Sequence, residues 1–384
     1  MAAPFFLYFS ASWLIMNADS TYDCGGIPMI MNNSNPGFFF NLGFTGTEMT
    51  DELRAFLRKN TPGGITLFKR NIVSPEQIAG LVEGIKETLP DNPPRICVDF
   101  EGGRVNRLND FLPAVPAARK IGLAGDDTLP FHFGYISGRI LSLLGMDINF
   151  APVADLYSED ASNGIGDRAF DAGPEKVKSW TKEYLSGLYE GGVIGCLKHF
   201  PGLSGSKADS HKSLPVDARD GEEFLTADLV PYKQQIECPH LVMIAHCRYP
   251  ALFRDPAPSS LNPECYELLR RGCGFSGLAV SDDMLMGALE SEGGLFERAC
   301  KALFAGADSA LICDKMEEAS EAVDKFKRYC EENPQTQDRL DEAAGRLSEL
   351  RIRAPLAAPR RFDIEEFEDL AFEMEEIFEQ VSED

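Results

Sequence analysis

From about residue 36 onward, short apolar runs alternate with longer stretches whose apolar positions recur at helical spacing. The apolar runs lie at 37–42, 64–68, 95–99, 147–152, 193–198, 240–246, 277–281 and 309–313. Each has the length of a strand and is apolar almost throughout, as a strand buried on both faces must be. The stretches at 50–59, 75–88, 174–189, 221–235, 263–271 and 294–304 read as helices. Strands of this kind alternating with helices predict a parallel sheet covered by helices. Eight such units predict an α/β fold, a single-domain (β/α)8 or TIM barrel, rather than an open sheet.

The two ends of the chain depart from this pattern. Residues 4–16 are apolar but too short to span a bilayer, and no Lys or Arg precedes Arg54, so residues 1–35 read as an N-terminal arm rather than an export signal. Past the barrel, predicted over 36–355, AAPRR at 357–361 reads as a linker. Residues 362–384 contain no Lys or Arg and carry apolar residues at helical spacing. The segment 356–384 therefore reads as an acidic C-terminal helical tail that packs on the barrel, the alternative being a partner-binding tail.

Composition narrows the function. The chain has 384 residues and a formal net charge of −24. So acidic a chain is a poor partner for nucleic acid or an anionic membrane surface, both of which are bound by Lys and Arg clusters. The ten cysteines are scattered, with no CxxC pair, and several fall inside apolar runs. They read as reduced thiols of a cytoplasmic protein. No GxGxxG follows the first strand, so nothing supports a dinucleotide site.

In a barrel the reactive groups gather at the C-terminal ends of the strands. Those ends hold Asp99 and Glu101, Asp155, Lys198 and His199, His246, Asp282 and Asp283, and Asp314. The densest constellation is Lys198-His-Phe-Pro-Gly202 followed by Asp209-Ser-His211. A carboxylate two residues before an imidazole orients the ring and raises its basicity. The small and polar residues 203–208 suit a mobile loop. Asp282 and Asp283 are adjacent, so on a continuing strand one faces the barrel mouth and the other is held behind it. A carboxylate nucleophile must be ionised and fixed, which suits Asp282, while Asp283 suits helix capping. The same residue types, His199, Asp209, His211, Asp282 and His246, are also plausible ligands of a metallohydrolase, although no compact motif such as HExxH is present.

Taken together, the motifs resemble glycoside hydrolase family 3, in its single-domain bacterial β-N-acetylglucosaminidase (β-hexosaminidase) branch. They are GFTGTEMTDELRAFL (43–57), GGITLFKRNI (63–72), VDFEGGRVNRL (98–108), NFAPVADL (149–156), GIGDRAF (164–170), LKHFPG with ADSHKSLP (197–215), MIAHCRYP (243–250) and LAVSDDMLMGAL (278–289). The resemblance implies that Asp282 is the nucleophile of a retaining mechanism and His211 the acid/base, with Asp209 its partner. It implies that Asp99, Arg107, Arg168, Lys198 and His199 bind the terminal sugar, and that neither cofactor nor metal is needed. The implied substrate is a small oligosaccharide or muropeptide from cell-wall peptidoglycan, recycled in the cytoplasm. A broader β-hexosaminidase, a β-glucosidase, a phosphorylase and a non-catalytic sugar-binding homologue are the alternatives. One departure stands out: where the family loop reads KHFPGHG, this chain has Leu203-Ser204 after Gly202.

Overall fold

The computed structural model describes residues 35–159, 163–208, 210, 213–233, 236–354, 356 and 361–382. The expected N-terminal arm lies outside them, apart from residue 35. Eight parallel strands close into a barrel: β1 (Phe40–Leu42), β2 (Gly64–Leu67), β3 (Arg95–Val98), β6 (Ile148–Asn149), β7 (Ile194–Phe200), β8 (His240–Ile244), β9 (Leu278–Asp283) and β10 (Ser309–Ile312). Closure is made where Phe40 pairs with Ala310 and Leu42 with Ile312. The remaining strands, β4 (Phe100–Gly102) and β5 (Val105–Asn106), form an antiparallel hairpin directly after β3. The (β/α)8 architecture read from the apolar runs is the one observed.

Strand alternation divides the apolar residues into two layers. Cys97, Ile148, Cys196, Met243, Val280 and Leu311 belong to one buried cluster that fills the barrel. The intervening residues, such as Ile96, Leu197, Val242 and Ala279, belong to a larger cluster shared with the helices. Leu350 and Ala354, at the end of α10 (Gln337–Arg353), join the barrel-filling cluster, and Arg95 donates a hydrogen bond to the Ala354 carbonyl.

The outer helices start where the sequence supplies a cap. Thr50 accepts from the Leu53 N–H to begin α1 (Asp51–Asn60). Ser74, followed by Pro75, accepts from the Gln77 N–H to begin α2 (Pro75–Thr88). A short α3 (Ala118–Ala124) follows the hairpin, and α8 (Leu295–Ala305) and α9 (Met316–Glu332) flank β10 in sequence. Helix α4 (Leu129–Leu143) has no clear amphipathic stripe because ten of its fifteen residues are buried. One of its neighbours is α5 (Pro174–Glu190), and glycines let the two backbones meet. A Cβ on Gly187 would stand 2.1 Å from the Phe131 carbonyl oxygen. Another neighbour is the acidic helix α11 (Ile364–Gln380), which buries Phe367, Leu370, Met374 and Ile377. Arg139 of α4 pairs with Glu366 at 2.6 Å.

One helix is shorter than the periodicity suggests, and another changes its winding. The expected helix over 221–235 is confined to α6 (Gly221–Thr226). Pro231 cannot donate a helical hydrogen bond, and Asp228 turns its side chain inward to an arginine. The expected helix over 263–271 is α7 (Pro263–Glu267), continued by a π-helical turn, Leu268–Gly272.

Candidate active site

Alternation carries selected polar groups inward at the C-terminal rim. On β9, Asp282 follows the parity of Leu278 and Val280, which line the barrel interior. On β7, Lys198 follows Ile194 and Cys196. Asp99, just past β3, follows Cys97.

The ends of β3 and β7 are joined by a continuous charged network. The Lys198 ammonium lies 2.9 Å from Asp99 Oδ1 and 2.6 Å from Glu101 Oε1. Arg107 reaches the other Asp99 oxygen at 3.1 Å. Arg168 grips Glu101 with both arms of its fork, Nε to Oε2 at 2.7 Å and Nη2 to Oε1 at 2.9 Å. The same Nη2 is 3.3 Å from His199 Nε2. A guanidinium has only donors, so Nε2 accepts there, and the ring proton is carried by Nδ1 and donated to Asp155 Oδ2 at 2.7 Å. Asp155 also accepts from the His199 N–H at 3.2 Å and the Leu203 N–H at 2.7 Å. The Lys198–His199 and Phe200–Pro201 peptides within this stretch are cis.

Three cations, Lys198, Arg107 and Arg168, thus meet two carboxylates, Asp99 and Glu101, and a third, Asp155, joins the network through the His199 ring. Burial alone would penalise every one of these charges. For Asp99, burial is outweighed by Lys198 and Arg107, which hold its carboxyl below the usual range. Glu101 is likewise held well below that range by Arg168 and Lys198 despite burial. The two acids in turn raise the Lys198 ammonium above its usual value against the cost of burial.

Asp282 is half-buried, and its Oδ1 accepts from the Asp283 N–H at 2.8 Å. Burial pushes the thiols of Cys196 and Cys313 inside the barrel up, and the charges of Asp99 and Asp282 both add to that shift, so both carboxylates overlook one interior. Asp283 faces the other way. Its Oδ1 accepts from the N–H groups of Leu285 and Cys313, both at 3.1 Å, and its carbonyl meets His246 Nε2 at 3.0 Å. Burial first, and then the charge of Asp282, lift the Asp283 carboxyl to about 6.

Asp209 and His211 lie outside the described residues. Ser210, between them in sequence, is buried, and its carbonyl accepts from the Ala288 N–H at 3.2 Å. Before it, Leu203 is buried and Ser204 Oγ accepts from the Leu156 N–H at 2.8 Å. The two residues that replace His-Gly therefore join the loop to the β6 end. Among the described residues, no group of three or more His, Cys, Asp or Glu is arranged to hold a metal ion.

Glu101 and Asp155, outside the sugar-binding set that the resemblance implies, are junctions of the network. Their signal was present, since both stood among the strand-end carboxylates in VDFEGGR and APVADL.

The comparisons with known proteins agree with this architecture. The model of the glycosyl hydrolase family 3 N-terminal domain matches residues 34–350. The β-hexosaminidase of Thiobacillus denitrificans is 38% identical over 292 residues, covering 74% of this chain and 80% of that protein. Among solved structures, a family 3 β-N-acetylglucosaminidase from Paenibacillus superposes with a TM-score of 0.83 at 29% identity, covering 92% of this chain and 68% of that one. NagZ from Neisseria gonorrhoeae, solved in complex with N-trifluoroacetyl-D-glucosamine, gives a TM-score of 0.72 at 29% identity, covering 88% of this chain and 97% of that one. A fungal multi-domain family 3 β-N-acetylglucosaminidase gives 0.84 at 29% identity, and this chain spans only 42% of its length. With its barrel, its strand-end charges and a family match that runs through all eight strands, the chain belongs to glycosyl hydrolase family 3.

Proposed function

We propose that the protein is a retaining exo-β-N-acetylglucosaminidase that removes terminal β-linked N-acetylglucosamine through a covalent glycosyl intermediate on Asp282. The observation that carries the reading is the buried network of Lys198, Asp99, Glu101 and Arg168 on the rim that also holds Asp282. The network is internally neutral, which suits an uncharged sugar ring, and it offers fixed donors and acceptors for its hydroxyls. Asp99, Arg107, Arg168, Lys198 and His199 are the sugar-binding set in this reading, and Glu101 and Asp155 keep that set in place. The relatives named β-hexosaminidase and β-N-acetylglucosaminidase support the choice of sugar.

In the first step Asp282 attacks the anomeric carbon, the bond to the leaving oxygen breaks, and His211 gives that oxygen its proton. In the second step water attacks the same carbon, His211 takes the water's proton, and Asp282 is released. Two inversions at one carbon retain the β configuration. Asp209 orients the imidazole. Imidazoles as a class have their ordinary range near neutral pH, where an ordinary aspartic acid would already have lost its proton.

The catalytic unit in this reading is the barrel of residues 36–355, with the acidic helix appended as support. The substrate class is a small oligosaccharide or muropeptide of peptidoglycan, handled in the cytoplasm during cell-wall recycling. All nine described cysteines are free, which supports a reducing compartment.

The test compares turnover of an aryl β-N-acetylglucosaminide with that of the matching β-glucoside. Preference for the N-acetyl sugar by at least about tenfold in kcat/KM, with turnover of that sugar lost in His211→Ala, supports the reading. Preference for the glucoside overturns it.

A further inference from the structure

Against the described ends of the segment that includes Asp209 and His211 in sequence lies a half-buried arginine that the proposed chemistry does not use. Arg219 donates to both oxygens of Asp217, from Nε at 3.0 and 3.1 Å and from Nη2 at 2.8 Å. Its remaining arm, Nη1, donates to Asp228 Oδ2 at 2.8 Å. The side chains of Asp217 and Asp228 are fully buried. The guanidinium lies over the Phe224 ring, 4.4 Å from its centroid.

The fork touches both ends of the loop. At the start, Gly205 rests directly on it, since a Cβ there would stand 1.8 Å from Arg219 Nε. Gly202, at φ +133°, rests on Asp228 in the same way, 2.6 Å from Asp228 Cβ to where its own Cβ would be. At the far end, Asp217 is tied to the chain beyond β8. The Asp217 N–H donates to the Arg248 carbonyl at 2.9 Å, and the Arg248 N–H donates to the Pro215 carbonyl at 3.0 Å. A single planar group thus sets the separation between residue 205 and residue 217, and the acid/base pair falls between them in sequence.

We infer that Arg219 is a positioning residue for the acid/base loop, fixing the height and span of the segment that presents His211 to the leaving group. The inference rests on the proposed roles of Asp209 and His211. Lysine cannot replace the group, because an ammonium has no planar fork to satisfy Asp217 and Asp228 in two directions at once. Glycine at 205 is required for a related reason, because any side chain there would displace the guanidinium.

The test exploits how much each substrate needs its acid. A basic leaving group must be protonated as the bond breaks, whereas a dinitrophenolate departs unaided. Arg219→Lys is compared with wild type on 4-methylumbelliferyl and 2,4-dinitrophenyl β-N-acetylglucosaminides, with folding followed by circular dichroism. Gly205→Ala removes no charged group, shifts the guanidinium instead, and serves as the second variant should Arg219→Lys fail to fold. The expected result is a fall in kcat/KM of at least about tenfold on the methylumbelliferyl substrate, against less than about threefold on the dinitrophenyl one. Equal losses on both substrates in a folded variant overturn the inference and leave Arg219 a stabilising residue only. Wild type that turns over neither substrate refutes the proposed function instead, so the two failures are distinguishable.

Discussion

The Lys198 ammonium and the Glu101 carboxylate meet at 2.6 Å, and each side chain is only 3% exposed. Such a pair is costly to create and more costly to break, because removing one partner leaves a charge in a site that water does not reach. Glu101→Gln would leave Lys198 with Asp99 as its remaining partner and take from Arg168 the carboxylate that its fork grips. The expected loss of folding stability is about 3–5 kcal/mol. It should be read by urea denaturation at pH 7, alongside a fall in kcat/KM. Unchanged stability would mean that the pair is wetter than its geometry implies.

Asp155 receives three donors, the His199 ring, the His199 N–H and the Leu203 N–H. Asparagine offers a single oxygen and adds a competing donor. In Asp155→Asn the His199 ring should no longer be held with its proton on Nδ1. Nitrogen NMR of the imidazole should show this as a mixed tautomer, and kcat/KM should fall by about tenfold or more. A pure Nδ1–H signal in the variant would assign the tautomer to Arg168 alone.

Asp283 gives the fold a pH dependence of definite sign. Its folded-state carboxyl titrates at about 6, raised mainly by burial. An unfolded aspartate titrates near ~3.9, so the folded state keeps its proton longer. That contribution to stability is complete below about pH 4 and disappears as the pH rises through the folded-state value. An asparagine in its place would carry no charge at any pH. The stability of Asp283→Asn relative to wild type should therefore rise by about 2 kcal/mol between pH 4 and pH 7. A difference that stays flat with pH contradicts the assignment.

Leu370 of α11 is buried among residues that cover α4, far along the chain from every site residue. Leu370→Ala should cost about 2–4 kcal/mol of stability while leaving kcat/KM within about twofold of wild type. Loss of activity in a folded variant would tie the acidic helix to the site, which its packing does not suggest.

The barrel was legible because strands buried on both faces must be apolar almost throughout, and eight such runs cannot be arranged in many ways. Asp282 was legible for a similar reason, since alternation along β9 separates it from Asp283. The role of Glu101 was not, because its partners Arg168 and Lys198 stand 67 and 97 positions away and only the folded barrel joins them. Arg219 was silent in the sequence. Its partners lie nearby at 217 and 228, yet the run over 221–235 reads as one helix, and a helix there would carry Asp228 away from it. Helix α4 fell outside the amphipathic stretches because α5 and α11 are both packed against it.

The central claim is that Asp282 bonds to the sugar. Incubation with a 5-fluoro-N-acetylglucosaminyl fluoride, which slows release of a glycosyl–enzyme more than its formation, should trap that bond. The intact protein should gain the mass of one fluorosugar, and proteolysis should place it on the peptide containing Asp282. The same treatment of Asp282→Asn should give no adduct. Labelling of a different carboxylate, or NMR of the product showing inverted configuration at the anomeric carbon, would contradict the account.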